Sequence, residues 1–103
     1  MSAYHVDFDA LEWQSPMRGV RFKAKTSGGR RLRMVEYTTA MEPHWCDKGH
    51  IGCILDGDFE IEFDNEVVTY KPGDGVFIPP GTEHRHKGKT LTDVVRAIFV
   101  EDM

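Results

Sequence analysis

The sequence predicts an all-β fold, a sandwich or barrel, and three observations carry that prediction. Short runs rich in Val, Ile, Phe, Thr and Tyr succeed one another along most of the chain. Turn-forming residues separate them, and no stretch keeps the three-and-four spacing of an amphipathic helix over a useful length.

In chain order the strand candidates are 19–25, 32–39, 51–55, 59–63, 67–70, 76–78 and 93–100. Residues 9–14 could form one helical turn before them. The turns between strands are Ser27-Gly28-Gly29, Asp56-Gly57-Asp58, Asp64-Asn65, Pro72-Gly73-Asp74 and Pro79-Pro80-Gly81. Alternation is clearest in Phe59-Glu60-Ile61-Glu62-Phe63, the pattern of an antiparallel strand with one face buried and one wet. Phe59, Ile61, Phe63, Phe77, Ile98 and Val100 are expected to fill the interior, with Cys53 in the core and Trp13 and Trp45 in the core or at the rim.

A chain of 103 residues with 40% apolar and 29% charged residues supports one compact domain, 1–103, with one core. Basic residues cluster in 18–25 and 30–33 but alternate there with Val20, Phe22, Ala24, Leu32 and Met34. They read as a solvated strand face, and with a net charge of −4 this argues against nucleic acid as a partner. No apolar run approaches the roughly 20 residues of a membrane helix, so no membrane partner is expected. The N-terminal stretch carries acids where a signal peptide carries bases, so the expected location is cytoplasmic. Cys46 and Cys53 are too few for a disulfide scaffold and are expected as thiols.

The chemistry concentrates in two windows. His44-Trp45-Cys46 places two metal-capable side chains two residues apart, which on a strand puts them on one face, and His50 follows after a short loop. Further along, His84 follows Pro79-Pro80-Gly81-Thr82-Glu83, and His86 would share its face in extended chain. Four of the five histidines thus fall in two short segments. Imidazole is the commonest ligand of transition metals, and a thiolate at Cys46 would add affinity for the softer ones. His86, flanked by Arg85 and Lys87, reads as a surface residue, with a role in orienting His84 as the alternative. Glu42 and Glu83 adjoin candidate ligands, but neighbours on a strand point to opposite faces.

These segments resemble the two motifs of the cupin family. The first motif runs Gly, five residues, His-x-His, three or four residues, Glu, six residues, Gly. Here His44-x-Cys46, then Asp47-Lys48-Gly49, His50, six residues and Gly57 repeat the spacing. The second runs Gly, five residues, Pro-x-Gly, two residues, His, three residues, Asn, and Gly73, Pro79-Pro80-Gly81 and His84 match it in register. The motif region, 38–88, covers about half the chain. Four positions depart from the pattern: Thr38 stands at the opening Gly, Cys46 at the second His, His50 at the Glu and Gly88 at the Asn.

The resemblance implies a jelly-roll barrel, pairing into a homodimer, and one divalent transition metal: iron, zinc, nickel or manganese. Carried over position by position, its ligands would be His44, Cys46, His50 and His84. All four bound would make a closed tetrahedral shell, whereas without Cys46 three histidines would leave positions open. Function then divides. The metal could serve an enzyme of dioxygenase, isomerase, lyase or decarboxylase type acting on a small organic molecule, or a non-catalytic domain that binds or senses a small ligand or the metal. A barrel without metal is the third alternative.

Overall fold

The computed structural model describes residues 2–103. Nine strands form: β1 (Gln14–Met17), β2 (Val20–Ser27), β3 (Arg30–Thr38), β4 (His50–Asp56), β5 (Phe59–Phe63), β6 (Val67–Tyr70), β7 (Gly75–Ile78), β8 (His86–Thr90) and β9 (Val94–Asp102). All pairings are antiparallel, in a six-stranded sheet ordered β1-β2-β3-β9-β4-β7 and a three-stranded sheet ordered β6-β5-β8. This is the jelly-roll barrel that the motifs imply. Seven strands fall where the β-rich runs stand, and the helical turn reduces to a 3-10 turn at Phe8–Ala10.

Strands β1 and β8 escape the sequence reading. In β8, His-Lys-Gly-Lys-Thr has little intrinsic strand preference, and pairing with β5 along Phe63↔His86, Ile61↔Gly88 and Phe59↔Thr90 decides its conformation. A Cβ at Gly88 would lie 2.6 Å from the Phe59 ring, so a larger residue there must displace a core aromatic. That ring in turn stacks on Tyr37, with centroids 4.9 Å apart.

The core lies between the sheets. Phe59 and Ile61 from the small sheet meet Val20, Val35, Ile54, Val76, Ile78, Val95, Ala97 and Phe99 from the large one. The expected inward positions of Phe77, Val100, Ile98 and Cys53, and the expected solvated basic face, are corrected here. Phe77 is 73% exposed and Val100 41%, while their neighbours Val76, Ile78 and Phe99 are buried. Ile98 is half-buried and Cys53, its cross-strand neighbour, is half-buried too, so neither belongs to the core. The basic run of β3 is not a solvated face, because Arg33 points inward and is buried. Both β7 and β9 carry apolar residues on each face, so alternation fixes their period but not their phase. In β3 an acid on the adjacent strand compensates the inward charges: Arg31 pairs in register with Glu101 of β9.

Trp13 and Trp45 sit near the surface under cations. Arg21 lies 3.9 Å from the Trp13 ring centroid and Arg85 4.4 Å from that of Trp45. Both cysteines are free thiols. No helix among the described residues is long and apolar enough to cross a membrane.

Candidate metal centre

The site begins with a backbone pairing. Cys46 and His86 form an isolated antiparallel bridge, each amide donating to the other's carbonyl at 2.8 Å. Residues paired this way project side chains to the same face. His50, at the start of β4, reaches the same space, and its ring stands edge-on to His86 with centroids 5.1 Å apart. The Cys46 sulfur and one ring nitrogen from each of His50 and His86 lie within 4.8 Å of one another, close enough to hold a single ion.

Hydrogen bonds orient both rings. His50 Nδ1 lies 2.9 Å from Glu101 Oε2, and His86 Nδ1 lies 3.1 Å from the carbonyl oxygen of His84. Neither oxygen has a proton to give, so in each ring Nδ1 is the donor and Nε2 is the nitrogen a metal would use. His86 is 5% exposed, and its Nε2 has no hydrogen-bond partner among the described residues. A buried, unpaired nitrogen facing a thiol and a second imidazole is the feature a metal would satisfy. Burial pushes the His86 pKa down, helped by the nearby His50 and His44 and opposed by the His84 carbonyl, which favours the neutral ring that ligation requires.

Behind His50 lies a charge cluster that the sequence reading missed. Glu101 accepts from His50, from Arg31 through Nε and Nη2, and from Arg33 through the same two atoms at 2.9 and 2.8 Å. Burial alone would raise its pKa, but the His50 hydrogen bond and the charge and hydrogen bonds of the arginines outweigh it and hold the carboxyl at about 2. In the sequence, the alternation Val95-Ala97-Phe99-Glu101 ends one face of β9 on a carboxylate. Read in the correct phase, it would have pointed to an acid inside the barrel.

The four residues carried over from the motifs are not all in one place. Cys46 and His50 come together, and exposed His44 stands at the edge of the same cavity with Nδ1 3.2 Å from the Glu42 carbonyl. His84 does not join them. It ends a 3-10 turn, Thr82–His84, that follows Gly81 at φ 126°, and the chain becomes extended only at His86. Its side chain is 42% exposed, lies 3.9 Å from Glu83, and borders a separate groove with Phe63, Tyr70 and Pro79. The reading of His86 as a surface residue is overturned by its burial.

The three donors open onto a cavity of about 390 Å³ with a mostly apolar wall that includes Val20, Phe22, Met41, Phe59 and Phe99. That volume suits a small organic molecule.

Comparison with known proteins agrees with the fold. A family model described as a cupin domain matches residues 32–101. An RmlC-like cupin from Shewanella frigidimarina superposes with a TM-score of 0.73 at 15% identity, over 97% of this chain and 92% of its own. KdgF from Halomonas sp. gives 0.68 at 24% identity, over 92% of each chain. HppE, in a structure described with Fe(II) and an alternative substrate, gives 0.75 at 12% identity, over 93% of this chain and 58% of its own. At such identities the structural likeness shows the fold alone. No curated protein matches the chain in sequence.

Proposed function

Since the chain belongs to the cupin superfamily, we propose that it is a small metal-binding cupin whose divalent ion is held by Cys46, His50 and His86 beside a cavity for a small organic ligand. The observation that carries this reading is the buried, unpartnered Nε2 of His86 within a cluster of three donors. His86 replaces His84 in the ligand set carried over from the motifs. His44 stands at the rim as a fourth donor for states without ligand.

Two imidazoles and a thiolate favour zinc, iron or nickel over manganese, which prefers oxygen ligands. Three protein ligands with the fourth at the rim resemble the open arrangement of catalytic sites more than a closed structural shell. A bound ion would supply Lewis acidity toward an oxygen of the small molecule. The chain's own residues orient it: Glu101 fixes the His50 ring, the His84 carbonyl fixes the His86 ring, and the apolar wall excludes water. HppE, of the same fold, is described with both Fe(II) and a small substrate, which supports the reading of the cavity. If His44 closes the shell, the second reading applies: a domain that binds or senses without turnover.

Elemental analysis of anaerobically purified protein tests the reading. About one transition-metal ion per chain is expected in the parent, lost from both Cys46→Ala and His50→Ala, because each removes one of only three inner donors. A parent without metal, or variants that retain it, would refute the reading.

We also propose that two copies pair through the outer face of the six-stranded sheet. There Phe77, Ile51 and Val100 are adjacent across β7, β4 and β9 and are 73%, 50% and 41% exposed. An apolar surface that continues across strands marks an interface. Light scattering should give twice the chain mass for the parent and a single chain mass for Phe77→Ser with Ile51→Ser; a monomeric parent would end this proposal.

A further inference from the structure

The cavity beside the donors holds more positive charge than its own acids neutralise. Arg31, Arg33 and Lys48 line it, and Glu101 is its only carboxylate among the described residues. The Arg33 side chain is 10% exposed and that of Arg31 26%. Buried charges are ordinarily matched by partners, because an unmatched one loses its hydration without return. Here two guanidiniums share one carboxylate, and Lys48, exposed at the rim, adds a cation without an ion pair among the described residues. A divalent ion on one thiolate would add further positive charge.

The geometry of the guanidiniums narrows the counter-ion. Arg31 and Arg33 both engage Glu101 through Nε and Nη2, along one edge of the fork. Nη1 of Arg31 makes no hydrogen bond among the described residues, whereas Arg33 has a further partner in the Tyr37 hydroxyl. Arg31 and Lys48 border both this cavity and the groove outside it, so they stand at its rim. Away from that rim the wall is Phe22, Met41 and Phe59, which offers an incoming molecule contact area and no hydrogen bonds.

We propose that the ligand of this cavity is a small carboxylate with an apolar body: its carboxylate is taken by the cationic rim at Arg31 and Lys48, and its body lies on the Phe22, Met41 and Phe59 wall. The inference rests on the cavity being the ligand site of the proposed metal centre. A carboxylate presents two oxygens in one plane, which suits guanidinium donors, and it is cheaper to dehydrate among aromatic side chains than a phosphoryl dianion. Neutral molecules of the same shape would leave the excess charge unmatched.

Titration calorimetry with three probes that share a benzyl body tests this: phenylacetate, phenylacetamide and benzylphosphonate. Phenylacetate should bind about tenfold or more tightly than the amide, and more tightly than the phosphonate. Lys48→Met should remove most of that preference while leaving melting temperature and metal content unchanged, because Lys48 takes no part in the Glu101 cluster. Arg31→Met should also remove the preference, at a lower melting temperature because Arg31 donates to Glu101; if it unfolds, Lys48→Met decides alone. Equal affinity for acid and amide, no binding of the acid, tighter binding of the phosphonate, or an unchanged preference in Lys48→Met would each overturn the inference. The comparison is repeated on chelator-treated protein, where the preference should persist at lower affinity. A parent that carries no metal but still prefers the acid would therefore refute the metal reading and leave this one standing.

Discussion

Replacing His86 by alanine should strip the metal from the protein, while replacing His84 should leave it in place. The motif register alone would give the opposite result, which makes the pair of variants decisive. His86 is buried, with an orphaned Nε2 in the donor cluster, whereas His84 is 42% exposed at the end of a 3-10 turn and borders another groove. Only the backbone carbonyl of His84 contacts the centre, and alanine preserves that carbonyl. Loss of an outer partner of a ligand typically costs about 10–100-fold in metal affinity, so loss of an inner donor should exceed that range. Competition against a chromophoric chelator would measure it. Retention by His86→Ala together with loss from His84→Ala would restore the motif assignment.

Glu101→Gln should be the most destabilising conservative substitution in the chain. The side chain is 8% exposed and accepts from two guanidiniums and His50. Glutamine keeps the shape but removes the charge and turns an amide NH2 toward groups that can only donate. Breaking a buried ion pair from one side costs about 3–5 kcal/mol. For a domain of this size that lowers the melting temperature by about ten degrees or more.

Linkage gives a second measure of the same cluster. The Glu101 carboxyl titrates at about 2 in the fold against 4.5 outside it. Its contribution is therefore complete above pH 4.5 and is lost as pH falls from there toward 2. The difference corresponds to about 3 kcal/mol, in line with the substitution estimate. Acid titration of metal-free protein should show that loss in the parent and a flatter profile in Glu101→Gln. Parallel profiles would mean that the carboxylate is not stabilised by its neighbours.

Much of the fold was legible in the residues, because turn chemistry and β-rich runs are local signals. The run Phe59-Glu60-Ile61-Glu62-Phe63 could be read without its partners, since its polar residues mark the wet face. By contrast, Val94 to Val100 is apolar on both faces, and only packing against the small sheet selects Val95, Ala97 and Phe99 as the inward set. That choice of phase carries Glu101 inward with them, so the error that misplaced Val100 also hid the acid behind His50. Part of the site could be read in the same way. His50 and Cys46 belong to the set that the motif resemblance implies and lie in the donor cluster, but His84 and His86 differ by which one lies in the strand. That depends on the φ of Gly81 and on pairing with Phe63 and Cys46, which no local pattern encodes.

The reciprocal hydrogen bonds between Cys46 and His86 have a kinetic consequence. They join segments far apart in the sequence, with four strands, β4 to β7, threaded between them. Closing such a loop costs entropy before any contact across it is rewarded, so the seam should form late in folding. A metal bound on both sides of a late-forming seam would leave the folding rate almost unchanged and slow unfolding instead, acting as a rivet set after the barrel has closed.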